Sequence, residues 1–336
     1  MRLSPVRLLL LLAIFMPSLL CAQTAKDDTD AAASLKRNAD AASVDKHGNI
    51  TELAVGMDYG TDALPMVKLL DSLCSLKKLT VGNCTDESLA LISESDTIQD
   101  LAIYSHDLTD RGLESLGKLS SLRILHLSCT TNLSPDGLKN IGKLVELRDL
   151  TLFTLVASDD TMKELTNCTH IETLRLVEPN ITDGGLEHLA KLLNLKTLDL
   201  CVVYRLGGFY SGPDREAMWG PKISDAGLKF IGKMEDLEFL ALTNTRVNAG
   251  LKELTKLKKL HTLILDKTDV TDENMSHVAR IHALKDLSLM ETEISNKGAA
   301  KLLELDKLKR LLLYQTRVTD VTKLKKHVGD VRINLK

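Results

Sequence analysis

One unit governs the chain. From Leu260 the sequence places Leu263 and Leu265 three and five positions on, then Thr268, Val270-Thr271-Asp272, Met275, Val278 and Ile281, and at Leu284 the pattern begins again. Such units open at Ile50, Leu76, Ile98, Leu122, Leu147, Ile171, Leu195, Leu237, Leu260, Leu284, Leu308 and Val328. Successive openings lie 22 to 26 residues apart, apart from one gap of 42 and a final one of 20. A unit this short cannot bury its own apolar face, so each must stack on its neighbours into a solenoid. Repetition also removes the usual link between length and domain count, and one elongated array is enough for a chain of 336 residues.

The opening segment of each unit alternates as a strand does. Residues three and five after the opening point inward, those two, four and six after it point out, and successive strands pair in parallel along a concave face. A turn follows with Thr, Asn or Cys at the eighth position, as at Cys84, Thr245, Thr268, Thr292 and Thr316. Ser/Thr-Asp comes next at Thr109-Asp110, Thr182-Asp183, Ser224-Asp225, Thr271-Asp272 and Thr319-Asp320. These residues open helices, because a hydroxyl or carboxylate accepts from free first-turn amides and an anion suits the positive helix end. Leu113, Leu116 and Leu119, or Leu186, Leu189 and Leu192, supply the inward stripe of a short convex helix.

The pattern Leu-x-x-Leu-x-Leu-x-x-Thr-x-Val-Thr-Asp-x-x-Met-x-x-Val from Leu260, with Ile-Ser-Asp-Ala-Gly-Leu from Ile223, resembles the cysteine-containing class of leucine-rich repeats within the ribonuclease-inhibitor-like superfamily. Short repeats, Thr in place of Cys at most turns and a simple leader look more like its secreted bacterial branch. Over residues 48–336 the resemblance implies an α/β fold, a right-handed β-α horseshoe with a parallel concave sheet and short convex helices. It also implies a protein-binding role, with no family-wide catalytic residue to carry over.

Residues 1–22 combine Arg2 and Arg7, an apolar run from Leu8 to Phe15, Pro17 and Ala22, the pattern of a secretory signal peptide cleaved after Ala22. The run is too short to span a membrane. Lipid attachment at Cys21 is the alternative, although Leu20 puts a large residue where lipoprotein signals carry a small one. The expected location is secreted or periplasmic. Residues 23–47 read as a tether and amino-terminal cap, with a short helix over Asp30 to Asn38 and a hairpin turning at Lys46-His47-Gly48-Asn49, and 48–336 as an array of about twelve units. The five cysteines beyond the leader are an odd, scattered set that gives no disulfide framework. Six Asn-x-Ser/Thr triplets are what turns rich in Asn, Ser and Thr produce by chance. A balance of 43 basic and 46 acidic residues argues against a nucleic-acid partner.

Two places stand out for binding. The gap of 42 residues holds an insert at 202–222 with Tyr204, Phe209, Tyr210, Arg215 and Trp219, and the whole chain has only five Tyr, five Phe and one Trp. Insertions in solenoids map to one rim, often the binding side, and aromatics beside an arginine are typical interface anchors; a loop folded over its own aromatics would carry the same residues. The second place is the concave face. Its outward positions include Tyr104, His126, Phe153, Arg175, Asp199, Asp266, Met290, Leu312 and Tyr314, with acids at Asp100, Asp149 and Asp286. Scattered aromatics and carboxylates suit a protein or peptide with some basic character; a solvated sheet with a few apolar exposures is the plainer account. Cys84, His106, His126 and Cys129 have the chemistry of zinc ligands, but Cys84 and Cys129 lie two rungs, about 10 Å, apart. No His-Glu-x-x-His, phosphate-cradling glycine loop or Gly-x-Ser-x-Gly occurs.

The sequence thus predicts a non-enzymatic scaffold without a cofactor, binding a protein or peptide through the concave face and the insert. Two other classes remain open: a carbohydrate-binding module stacking sugars on Tyr204, Tyr210 and Trp219, and a hydrolase using acids around Asp199 and Asp214.

Overall fold

The computed structural model describes Ala33 and residues 39–58, 62–129, 133–154, 156–177, 179–200 and 222–333. Among these, thirteen strands form one sheet whose spatial order is their order in the chain. They are β1 (Ala41–Val44), β2 (Ile50–Val55), β3 (Lys78–Gly82), β4 (Asp100–Ser105), β5 (Ile124–Cys129), β6 (Asp149–Phe153), β7 (Thr173–Val177), β8 (Thr197–Asp199), β9 (Phe239–Ala241), β10 (Thr262–Ile264), β11 (Asp286–Ser288), β12 (Arg310–Leu313) and β13 (Asp330–Ile333). β1 and β2 make an antiparallel hairpin, with Gly48 at φ +88° in its turn. All later neighbours are parallel, and convex helical segments return the chain between them. The architecture is the β-α solenoid expected from the repeat.

Register does not drift along the array. Glu52, Lys78, Asp100, Ile124 and Asp149 stand abreast on β2 to β6, as do Ala54, Thr80, Ala102, His126 and Thr151 two residues on. Leu79, Val81, Leu101, Ile103, Leu125 and Leu127 alternate with these rows along the strands and are fully buried. Convex segments vary more than the pattern implies. Asp110–Leu116 and Asp183–Leu189 are α-helical, whereas Ala249–Lys256 is a 3-10 helix. Its unit is one residue shorter than the next, and the greater rise per residue of a 3-10 helix covers the span with fewer residues.

Each strand's exit turn has its own chemistry. Asn83, Asn244, Lys267, Glu291 and Gln315 adopt left-handed backbone with φ from 47° to 59°. The side chain that follows turns toward the core: Cys84, Thr245, Thr268 and Thr292 are buried. The Thr hydroxyls donate to the carbonyls of Leu242, Leu265 and Leu289 at 2.7 Å. A buried hydroxyl that makes this bond costs little, so Thr serves where Cys stands in other units.

The Ser/Thr-Asp pairs do more than cap their own helices. Thr109 Oγ1 accepts from the Arg111 amide and donates to Asp86 of the preceding repeat at 2.6 Å, and the Thr109 amide donates to the same carboxylate at 2.9 Å. Asp110 does likewise for Ser134, Asp159 for Thr182, Asp183 for Ser224 and Asp272 for Ser295; Asp225 accepts from the amides of Asn248 and Gly250. The reach of these carboxylates explains a set of glycines. A Cβ on Gly112, Gly137, Gly185, Gly227, Gly250 or Gly298 would come closer than 3.0 Å to the Asp of the preceding repeat. Where that repeat has Pro135 or Ala249 instead of Asp, the glycine position holds Thr161 or Asn274. Expected as a partner for its own helix end, the Asp is chiefly a link to the next repeat.

Across the long insert the solenoid closes without a gap: β8 pairs directly with β9, and Thr182 bridges Lys222. Cys84, Cys129 and Cys168 are free and buried, and Cys74 is disulfide-bonded. Burial pushes the Cys84 and Cys129 thiols up to about 12 and Cys168 to about 11. They are buried packing groups held as thiols. No helix among the described residues is long and apolar enough to cross a membrane.

Candidate functional site

Side chains alternate along a strand, and parallel pairing sets equivalent positions of successive repeats side by side, so residues about 24 apart in sequence become neighbours on the concave face. Four of the predicted concave residues lie on β4 to β7 in two adjoining outward rows, Tyr104 and Phe153 in one and His126 and Arg175 in the other, so the rings meet diagonally across the strands. The rings of Tyr104 and His126 lie with centroids 5.2 Å apart and tilted at 42°, and those of His126 and Phe153 are again 5.2 Å apart at 50°. These separations fall within the range in which aromatic pairs attract beyond their buried area. Arg175 stands on β7, within 3.4 Å of Asp149 on β6.

The row is open to solvent in a way that a core cluster is not. Tyr104 is 39% exposed and Ile124, an outward residue between Asp100 and Asp149, is 41% exposed. Including Met57 at the exit of β2, three of the six large hydrophobics exposed among the described residues gather here. His126, half-buried between its ring neighbours, is held below the usual imidazole range by burial, against the pull of Asp149 and Asp100. It is a neutral aromatic surface at pH 7.

Acids frame the row. Asp100 pairs with Lys78 at 3.8 Å and Asp149 with Arg175, so both cations of this region are already matched. Burial raises the Asp100 carboxyl above its ordinary value; Lys78 opposes this, while Glu52 and Asp149 add to it. On the outward positions of β2 to β7 themselves, the carboxylates of Glu52, Asp100 and Asp149 outnumber the cations of Lys78 and Arg175 by one.

At the exit edge of the first strands the surface opens into a pocket of about 210 Å³ lined by Gly56, Met57, Gly82, Asn83, Tyr104, Ser105, His106 and Ser128. Gly56 sits at φ +69°, and a Cβ on Gly82 would strike the Gly56 carbonyl, so close backbone approach excludes side chains from this corner. Sequence reasoning passed over Ile124, Met57 and the two glycines. Their signal was there: Gly56 and Gly82 stand six after their openings, where later units carry Tyr104 and Phe153, and Ile124 interrupts a row of acids.

Other predicted residues are elsewhere. Tyr314 and Leu312 belong to the far end, on and just after β12, where a second concavity of about 270 Å³ is lined by Ile264, Leu312, Arg310 and Arg332. Its arginines are matched by Asp286 at 2.9 Å and Asp330 at 3.1 Å. Asp266, expected as an outward acid, is on that face but buried, because its carboxylate accepts from the Ser288 hydroxyl and the Met290 amide of the next repeat, which cover it. Asp199 stands on β8 beside Arg175 in the strand register. Tyr204, Phe209, Tyr210, Arg215 and Trp219, with Asp214, lie outside the described residues. No cluster of three or more His, Cys, Asp or Glu among the described residues is arranged to hold a metal ion.

No family model matches the chain, and no curated protein matches it in sequence. Among solved structures it is similar to an internalin of Listeria monocytogenes, at 17% identity and a TM-score of 0.62, over 92% of this chain and 96% of that one. It is also similar to the leucine-rich-repeat ectodomain of a membrane receptor kinase from Arabidopsis thaliana in complex with Casparian strip integrity factor 2, at 16% identity and a TM-score of 0.48, over 88% of this chain and 31% of that one. Identities this low speak to fold alone, and the internalin match covers nearly the whole of both chains. The constant register, the buried leucine ladder and this likeness together give the chain the leucine-rich-repeat fold.

Proposed function

We propose that the protein is a non-enzymatic binding scaffold of the cell envelope or exterior that recognises a protein or peptide on its concave face, centred on Tyr104, His126 and Phe153. The observation that carries this reading is the cluster of half-open, mutually tilted rings at 5.2 Å spacing, flanked by exposed Ile124 on the same face. A cluster that served only the core would be closed over; this one leaves apolar area in water with acids around it, the make-up of a partner-binding surface. The neighbouring carboxylates are engaged with Lys78 and Arg175, which suits recognition better than acid-base chemistry. The segment 202–222 lies between Leu200 and Ile223 in sequence, and β8 before it is two strands beyond Phe153; we assign its aromatics to recognition of the same partner.

The test is retention of envelope proteins by the mature chain, by a Tyr104→Ala/Phe153→Ala variant and by a variant with 202–222 replaced by a glycine-serine link. Truncating an aromatic anchor costs about 2 kcal/mol or more, so the double variant loses its partner at least thirtyfold while keeping its circular dichroism. Equal retention by all three would place the site off this face.

A further inference from the structure

The pocket beside Tyr104 gives the concave surface a specific ligand chemistry. Its volume, about 210 Å³, admits one ring and little else, since an apolar cavity of roughly 150 Å³ already holds benzene and sites for drug-sized molecules begin near 300 Å³. Its walls supply Met57 and the Tyr104 ring, both exposed, over backbone from Gly56 and Gly82. Two of its polar side chains are spent on the protein itself. Asn83 Nδ2 donates to the carbonyls of Gly56 and Asp58 at 2.9 and 3.0 Å. Ser105 Oγ donates to the Cys84 carbonyl and accepts from the amides of Asp107 and Leu108. A sugar ring needs convergent donors and acceptors along its edge; here Asn83 and Ser105 hold the backbone together, His106 and Ser128 complete the polar lining, and the exposed Met57 and Tyr104 walls suit an apolar ring.

The surroundings choose what else the ligand carries. The pocket opens onto the Tyr104–His126–Phe153 cluster, and the acids Glu52, Asp100 and Asp149 stand abreast two outward rows back from Tyr104, with Lys78 paired to Asp100 and Arg175 to Asp149. The exit positions and this acid row are four residues apart along the strands, about 13 Å, which an extended peptide also spans in about four residues.

We propose that this pocket receives one aromatic side chain of an extended peptide segment, with a lysine or arginine of the same segment, about four residues away, against Glu52, Asp100 and Asp149. The inference rests on the concave-face reading above and adds to it the chemistry of the partner. A free sugar has the ring but no cation, and an acidic segment meets like charge.

The test selects displayed random nonapeptides on the full chain, then measures the enriched peptides on three variants with unchanged circular dichroism. Ser128→Trp fills the pocket from its edge, Phe153→Ala removes the far end of the row, and Thr197→Trp places the same bulk on the face outside the pocket. Enriched sequences are expected to share an aromatic with a basic residue about four away, to bind at least tenfold more weakly to Ser128→Trp, and to bind Thr197→Trp as before. Peptides that depend on Phe153 but are indifferent to Ser128→Trp overturn the pocket and leave the concave-face reading standing. Enriched peptides lacking a basic residue overturn the ligand chemistry. Failure of any peptide to enrich, or binding that ignores every variant, overturns both.

Discussion

Asp272 shows how much a single residue does here. Its carboxylate accepts from the Ser295 hydroxyl and amide at 2.5 and 2.8 Å and from the Gly298 amide at 2.9 Å, and a Cβ on Gly298 would collide with it. Burial works against ionisation, but these donors outweigh it and hold the carboxyl below its ordinary 3.8. A depressed folded pKa stabilises fully above the unfolded value and is lost as pH falls through the folded one. The stability difference between the wild-type chain and Asp272→Asn, read from urea midpoints, is therefore expected to be constant from pH 5 to 8 and to shrink below 3.8. Steric logic gives a second expectation. Gly298→Ala costs about 1–3 kcal/mol by overpacking, and in the Asp272→Ala background it costs clearly less, so a double-mutant cycle returns a coupling between the two. Additive losses would mean that the glycine serves its own helix. The sequence displays both residues but not their pairing, because they belong to different units and nothing local ties a Gly to an Asp some two dozen residues upstream.

At the scale of the element, the unit of exchange is one strand, one turn and one convex segment, and the carboxylate link decides which units are interchangeable. Removing 98–121 brings Asp86 against Ser134 and Gly137, a match that the array already uses. Removing 122–146 brings Asp110 against Ser158 and Thr161, where a side chain occupies the space the carboxylate needs and Thr161 already completes a box with Ser158. The two deletions differ by one residue in length and remove equivalent strands. The first is expected to unfold at the higher urea concentration, and the reverse order would show that the link is incidental. Strands, turns and inward positions were all legible from the repeat because their period is written in leucine. The 3-10 form of Ala249–Lys256 was not, since helix type is set by how many residues must cover a fixed span. Nor was the burial of Asp266: alternation places it outside, and the Ser288 hydroxyl and Met290 amide of the next repeat cover it there.

Taken whole, the molecule is a line of interfaces of unequal strength. Carboxylate links join the convex side without a break from Asp86 to Ser134 and from Asp159 to Asn248, and they resume from Asp272. Pro135 and Ala249 interrupt them. In a solenoid each interface contributes nearly independently, so the boundaries of cooperative opening belong at the two breaks. Native-state hydrogen exchange is expected to resolve three blocks meeting between the units opening at Leu122 and Leu147 and between those opening at Leu237 and Leu260; one uniform protection profile would refute this. The candidate site was legible in part. Tyr104, His126, Phe153 and Arg175 were visible as outward residues, but their convergence on four adjacent strands, and the glycine corner beside them, depend on register across repeats. The link itself also has a sense of direction. Each of the linking carboxylates, Asp86, Asp110, Asp159, Asp183, Asp225 and Asp272, serves the helix start of the repeat that follows it. In a chain made from its amino end, each emerging repeat therefore meets an acceptor already fixed in place, and the array can grow on its own finished edge as a crystal grows on a face.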